Sequence, residues 1–252
     1  MEKNDRRLIH LNDPLTALSL LSRLPLPATD GTRQSQAAWA YPLVGVLIGG
    51  LAALVGLLAH GLGLPSGLCA LLALSALILA TGAMHEDGLA DMADGIWGGW
   101  DRGTRLEIMR DSRIGTYGVI ALCLSLAARW SALWMLYDIS IGAATAALIS
   151  AAALSRAAMP VVMAALPHAR DDGLSRRVGH VSGTTAAIGM GIAGSVAVLL
   201  LGSALFWPVV WASLAVLSLG LIAKHKIGGQ SGDILGSAQQ VGEIAVLFAL
   251  LV

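Results

Sequence analysis

Seven stretches of this chain are apolar over close to the roughly 20 residues that a bilayer core requires. They lie at 42–60, 67–84, 117–137, 140–165, 184–205, 208–223 and 234–252. In lipid the backbone must satisfy its own polar groups, and runs of this length do so as helices. The expected fold is therefore an all-α integral membrane protein. It is a polytopic bundle of about seven transmembrane helices forming one domain over 1–252, with the lipid bilayer as its first partner. Composition agrees, with 56% hydrophobic and 13% charged residues, where a soluble domain has about a quarter charged. A formal net charge of +0 supplies no global field for nucleic acid, and none is expected as a partner. Cys69 and Cys123 both sit inside apolar runs and read as small core residues rather than a disulfide or zinc site. Lys3, Arg6 and Arg7 precede Asn12 and Asp13, which interrupt any signal-peptide core, so no cleaved targeting segment is expected.

The arm at 1–40 contains Asp13-Pro14, an N-cap and first helical position. Leu15, Leu18, Leu21 and Leu24 then recur opposite Ser19, Ser22 and Arg23 until Pro25 and Pro27. This predicts a short amphipathic helix lying at the membrane surface. The links at 61–66, 138–139 and 206–208 contain no Lys or Arg, whereas the arm and the links at 85–116, 167–183 and 224–233 hold nearly all of them. Alternation of this kind places the N-terminus and the polar links in the cytoplasm of a cell (inner) membrane, and an odd number of spans puts the C-terminus outside. Trp39, Tyr41, Tyr117, Trp134, Tyr137 and Trp207 fall near span ends, as interface belts do. Arg129, Arg156 and Glu243 are the charges well inside spans, where an Arg–Glu pair between helices is expected. Gly45 and Gly49 permit close helix packing, within the bundle or in a homo-oligomer.

The longest polar passage runs from His85 to Gly118. Its carboxylates are Glu86, Asp87, Asp91, Asp94, Asp101, Glu107 and Asp111, interleaved with Arg102, Arg105, Arg110 and Arg113. Asp87, Asp91 and Asp94 are spaced i, i+4, i+7, so a helix brings all three to one face. Carboxylates so placed repel one another unless a hard cation lies between them, and Mg²⁺ is the usual one where phosphate is held or transferred. A solvated acidic helix would explain the carboxylates but not their placing beside Gly88 and Gly95 at a span end. Asp87, Asp91 and Asp94 are the expected metal ligands and catalytic residues. Imidazole is a poor Mg²⁺ ligand, so His85 is expected to act in acid–base chemistry or to orient a carboxylate. Glu86 is expected behind the ligands or in solvent.

Two further blocks suit a phosphate. Arg110, Asp111, Ser112 and Arg113 lead through Ile114-Gly115-Thr116 into the third span, an arrangement fit for an anion-binding turn, although pairing with neighbouring acids would account for some of the arginines. Gly228, Gly229, Ser231, Gly232 and Asp233 precede the last span, whose N-terminus offers free N–H groups and a positive dipole end. Asp233 as a plain N-cap in a flexible glycine turn is the simpler reading of that loop.

Together these blocks resemble the cobalamin synthase family, the adenosylcobinamide-GDP ribazoletransferases. His85-Glu86-Asp87-Gly88-Leu89-Ala90-Asp91-Met92-Ala93-Asp94-Gly95 fits the family's H-x-D-G-x-x-D-x-x-D-G, and the likeness continues from Leu106 to Gly118. Gly228-Gly229-Gln230-Ser231-Gly232-Asp233-Ile234-Leu235-Gly236 is similar to its GG-x-T-G-D-x-x-G, with serine keeping the hydroxyl of the threonine. Leu21-Ser22-Arg23-Leu24-Pro25 and the length also match, so the resemblance covers essentially the whole chain. It implies a Mg²⁺-dependent membrane transferase of late cobalamin (vitamin B12) assembly. Its substrates would be adenosylcobinamide-GDP and α-ribazole or its 5′-phosphate, and GMP would be released. Arg110 and Arg113 become candidates for the diphosphate, and Asp233 for the metal or the ribazole ribose.

Two other readings compete. A CDP-alcohol phosphatidyltransferase also spaces aspartates along a helix at the membrane face, but its D-G-x-x-A-R motif needs an arginine that Leu89-Ala90-Asp91 does not supply. A cation-coupled transporter would set its carboxylates near the bilayer midplane at broken helices, whereas here they fall outside the expected spans.

Overall fold

The computed structural model describes residues 7–27 and 31–252; Lys3 and Arg6 of the arm lie outside them. Every regular element among the described residues is helical. The helices are α1 (Asp13–Leu21), α2 (Tyr41–Gly61), α3 (Ser66–Thr81), α4 (Met84–Gly98), α5 (Arg102–Ile108), α6 (Thr116–Ile139), α7 (Ile141–Ala165), α8 (Leu174–Val178), α9 (Gly183–Leu201), α10 (Phe206–Ile227) and α11 (Gly232–Ala249).

The bundle is built around α7, whose alanines at 144, 147, 151, 152, 153 and 157 are all buried. Small side chains let neighbours approach to backbone contact, which replaces the hydrophobic drive that lipid cannot supply. Gly45 of α2 lies against the Ala152–Ala153 backbone and Gly49 against Leu148 and Ile149, so close that a methyl group at Gly45 would overlap the Ala152 carbonyl. The two glycines are used inside the bundle.

Four helical stretches among the described residues are long and apolar enough to cross a membrane: 36–61, 116–139, 141–165 and 183–227. The count of seven is not reached by this measure. The stretch 183–227 is broken at Gly202 (φ 56°), and Met190 of α9 lines one groove of about 310 Å³ with Val209 and Lys224 of α10. An unbroken rod would separate Met190 from Lys224 by about 50 Å, so α10 folds back beside α9. α3 qualifies only jointly with α4, from which it is bent by 85°. α4 carries four carboxylates on its 15 residues and packs, largely buried, against α6 and α11. α11 fails on composition because Gln239, Gln240 and Glu243 occupy its middle, buried against the other helices.

The arm departs from expectation in detail. Asn12, not Asp13, is the N-cap residue, and Leu24 falls beyond the end of α1. Asp13 is buried and accepts hydrogen bonds from Arg33 Nε (3.0 Å), Trp39 Nε1 (2.9 Å) and the His10 N–H (2.8 Å). Burial opposes ionisation there, but these donors and the Arg33 charge hold the carboxyl below its ordinary pKa. Trp39 and Tyr41 are accordingly buried, as is Tyr137, while Tyr117, Trp134 and Trp207 face outward as a belt would. Both cysteines are free, with Cys69 buried and Cys123 exposed.

Charge inside the bundle is paired more widely than the sequence suggests. Arg129, 0% exposed, reaches Glu86 at 3.0 Å and Glu243 at 3.4 Å. Glu86, expected in solvent or behind the ligands, is therefore buried and ion-paired on the inner side of α4.

Candidate active site

α4 leaves α3 through Gly82 (φ 66°) and Ala83 (φ 56°), two left-handed residues in succession. Ala83 is the only described non-glycine residue with positive φ, a conformation that crowds its Cβ and makes the corner sharp. Beyond it Leu89, Met92 and Ile96 bury one side of α4. The opposite side presents Asp87, exposed, Asp91, half-buried, and Asp94, buried.

Asp94 is turned toward α6. Its carboxylate accepts the N–H groups of Gly115 (2.7 Å) and Gly118 (2.9 Å) at the start of that helix. A methyl at Gly118 would overlap an Asp94 oxygen, and one at Gly115 would lie 2.5 Å from the other. The turn that opens α6 thus directs these N–H groups at Asp94.

Asp87 and Asp91 face α11. The two helices touch at Gly88, where a Cβ would come within 3.1 Å of the Asp233 backbone. Ser231 caps α11, and Asp233 Oδ2 accepts from Ser231 Oγ (3.1 Å) and Arg170 Nη2 (3.2 Å). Burial, then the carboxylates of Asp87, Asp233 and Asp94, push Asp91 up to about 7, against a partial offset from Arg170. Asp233 is raised mainly by burial, with Arg170 opposing.

Between these helices lies a cavity of about 290 Å³. Its polar side includes His85, Asp87, Arg170, Asp172, Ser231 and Asp233; Leu20, Leu21, Met84, Met159 and Met163 are on the apolar side with the ring of Tyr41. Arg170 was legible only as part of a basic link. It is placed by pairing of the 167–170 segment with the glycine loop: Gln230 N–H donates to Pro167 O and Ala169 N–H to Gln230 O, both at 2.8 Å. Gly229 fits there because any side chain would strike the Pro167 carbonyl. Arg102 fastens the same loop, donating to Ile227 O (2.8 Å) and Ala169 O (2.9 Å).

The other expected substrate residues lie outside this cavity. Arg110 pairs with Asp172 at 2.7 Å on the surface, in a neighbouring basin of about 750 Å³ that Arg170 also lines. Arg113 is 87% exposed and bonded to Asp111 at 2.6 Å, and Ser112 is exposed. Of the glycine loop, Ser231, Gly232 and Asp233 reach the cavity; Gly228 sits beside Arg102 instead.

No three His, Cys, Asp or Glu side chains among the described residues form a ready metal cage. Mg²⁺ rarely uses one, being held by one or two carboxylates with waters and substrate phosphates. The hard-oxygen donors Asp87 and Asp91 suit it, and the carboxylate repulsion that adds to burial in raising Asp91 is what a cation relieves.

A family model described as cobalamin-5-phosphate synthase matches residues 13–251. The chain is 46% identical over 246 residues to an adenosylcobinamide-GDP ribazoletransferase of Mesorhizobium japonicum, covering 94% of this chain and 92% of the relative. It is 47% identical over 236 residues to the enzyme of that name from Bradyrhizobium diazoefficiens (92% and 90% covered). Its identity to that from Azorhizobium caulinodans is 43% over 262 residues (96% of each). No solved structure matches the chain. Matched from its first helix to its last, the chain belongs to the cobalamin-5-phosphate synthase family.

Proposed function

We propose that this protein is an adenosylcobinamide-GDP ribazoletransferase that joins adenosylcobinamide-GDP to α-ribazole or its 5′-phosphate and releases GMP. The observation that carries the mechanism is one arginine, Arg170, inside a cavity whose rim holds carboxylates from two helices. A diphosphate needs both a cationic donor and a cation to screen it from those carboxylates.

In this reading a ribose hydroxyl attacks the cobinamide-linked phosphorus and the bond to GMP breaks. Asp87 and Asp91 would hold Mg²⁺, which supplies charge stabilisation for the attacking and leaving oxygens when bound. Arg170 orients the diphosphate, and its contact with Asp233 keeps that carboxylate beside the reacting groups. Asp233, kept basic by burial, receives the hydroxyl proton. The apolar wall of Tyr41, Met84, Met159 and Met163 takes the flat ribazole base. Asp94 fixes the far end of α4 through α6, and the basin between Arg110 and Arg170 receives the remainder of the nucleotide-bearing substrate. The charges around the site, Arg102, Arg105, Arg110, Arg170, Lys224 and Lys226 among them, favour a cytoplasmic face.

The test is GMP release by the detergent-solubilised protein, with each substrate and Mg²⁺ omitted in turn. Release that needs both substrates and the metal supports the proposal. GMP release without ribazole points to hydrolysis, and no release under any condition removes the assignment.

A further inference from the structure

α4 crosses α11 glycine on glycine. A Cβ at Gly236 would meet His85 O at 3.2 Å and Gly88 Cα at 3.5 Å, and Ser237 Oγ donates to Gly88 O at 3.1 Å. Such a crossing brings backbones together with a single hydroxyl contact, and the Asp94 bonds hold only the far end of α4, so the rotation of its first turn about the helix axis needs another key. That rotation matters, because neighbouring helical residues point about 100° apart and Glu86 adjoins Asp87.

Glu86 faces inward. Its Oε1 accepts from Arg129 Nη1 (3.0 Å) and Gln240 Nε2 (3.2 Å). Arg129 also reaches Glu243 Oε1 (3.4 Å), Gln239 Nε2 donates to Glu243 Oε2 (2.6 Å), and Ser125 Oγ donates to Gln240 Oε1 (3.0 Å). The cluster joins α4, α6 and α11, with Arg156 of α7 buried at its border. It is costly, since Glu86 Oε2, Arg129 Nε and Nη2, and Arg156 Nε and Nη2 are buried without a hydrogen-bond partner among the described residues. Cohesion alone would be served as well or better by apolar side chains of similar size, and ionisable groups at membrane depth are kept for function.

We propose that Arg129, acting through Glu86, is the positioning residue that fixes the rotation of α4 and so aims Asp87 into the cavity opposite Asp233, with Asp91 one turn further along. This rests on the transferase reading of that cavity. Arg129 touches no substrate; its effect passes along one helical step.

The test uses the full-length protein with Glu86→Met, Arg129→Met and Gln240→Met combined, which removes one charge of each sign together with the amide that serves Glu86 and leaves Glu243 facing Arg156. The expected result is an unchanged thermal midpoint, KM values within about threefold of the parent, and kcat lowered about a hundredfold, the loss that a misaimed site produces. Arg129→Lys alone, which keeps the ion pair, should stay within about tenfold of the parent kcat. A readout independent of turnover is cross-linking of cysteines placed by Asp87→Cys and Asp233→Cys, with Cys69→Ser and Cys123→Ser, by a short bifunctional reagent. The yield should fall by more than about half when the three methionines are added. Parental kcat in the triple variant, or undiminished cross-linking, overturns the proposal. Should the triple variant not fold, Glu86→Gln decides: kcat about tenfold down at constant KM supports positioning, and an unchanged kcat refutes it. A parent that releases no GMP refutes the transferase reading, while the cross-linking comparison still judges Arg129.

Discussion

Asp94 and Gly118 are 24 residues apart in sequence and joined by a 2.9 Å hydrogen bond from the glycine N–H to the carboxylate. With the companion bond from Gly115, it fastens the acidic helix to the first turn of α6. Glycine is required because that carboxylate fills the space a side chain would take. Gly118→Ala should therefore overpack the junction and destabilise the protein by about 1–3 kcal/mol. The thermal midpoint of the purified protein checks this, and an unshifted midpoint would contradict the packing.

Asp91 and Asp94, alike in sequence, should separate on substitution. Asp94→Asn puts an amide where two N–H donors point, so it should lose stability on the scale of a helix cap, about 1 kcal/mol. Asp91→Asn removes a carboxylate repelled by its neighbours. Its metal-free thermal midpoint should hold or rise, while Mg²⁺-dependent GMP release falls about a thousandfold. Full turnover by Asp91→Asn would remove that residue from the site.

The arginines divide in the same way. Arg170→Met takes away a charged donor inside the cavity and should lower kcat/KM about 10- to 100-fold. Arg113→Ala breaks an exposed surface pair and should cost less than about threefold. Steady-state kinetics that reverse this order would move the diphosphate to the turn before α6.

The pH dependence follows from Asp91. Its folded pKa of about 7 lies above the ordinary carboxylate value, so the folded cation-free protein binds more protons than the unfolded chain between about pH 4 and 7. Stability without metal should fall as pH rises through that window, and Mg²⁺ should remove the loss. Conversely, the Mg²⁺ concentration for half-maximal rate should climb as pH drops below about 7, because the proton and the cation compete. A half-saturation flat from pH 6 to 8 (roughly one unit either side) would show that Asp91 does not take part.

Much of this site was legible because its parts are local. Asp87, Asp91 and Asp94 share a face by helical spacing alone, and Gly88 between them signalled a close approach that proves to be α11. The glycine loop before Asp233 was equally readable as the start of a helix. What escaped was set by distant partners. Nothing near Arg170 in sequence shows that Gln230 will draw it into the cavity, and nothing near Glu86 announces Arg129, 43 residues on. Runs of hydropathy register neither the bend between α3 and α4 nor the buried polar middle of α11.

The sharp corner at Gly82 and Ala83 has a logistical consequence. By swinging the acidic helix sideways, it leaves Asp87 in the open while Glu86 beside it stays buried. In the proposed reaction a substrate as bulky as a nucleotide-bearing corrinoid would need to bring only its diphosphate to that exposed carboxylate, and its product could depart by the way it came.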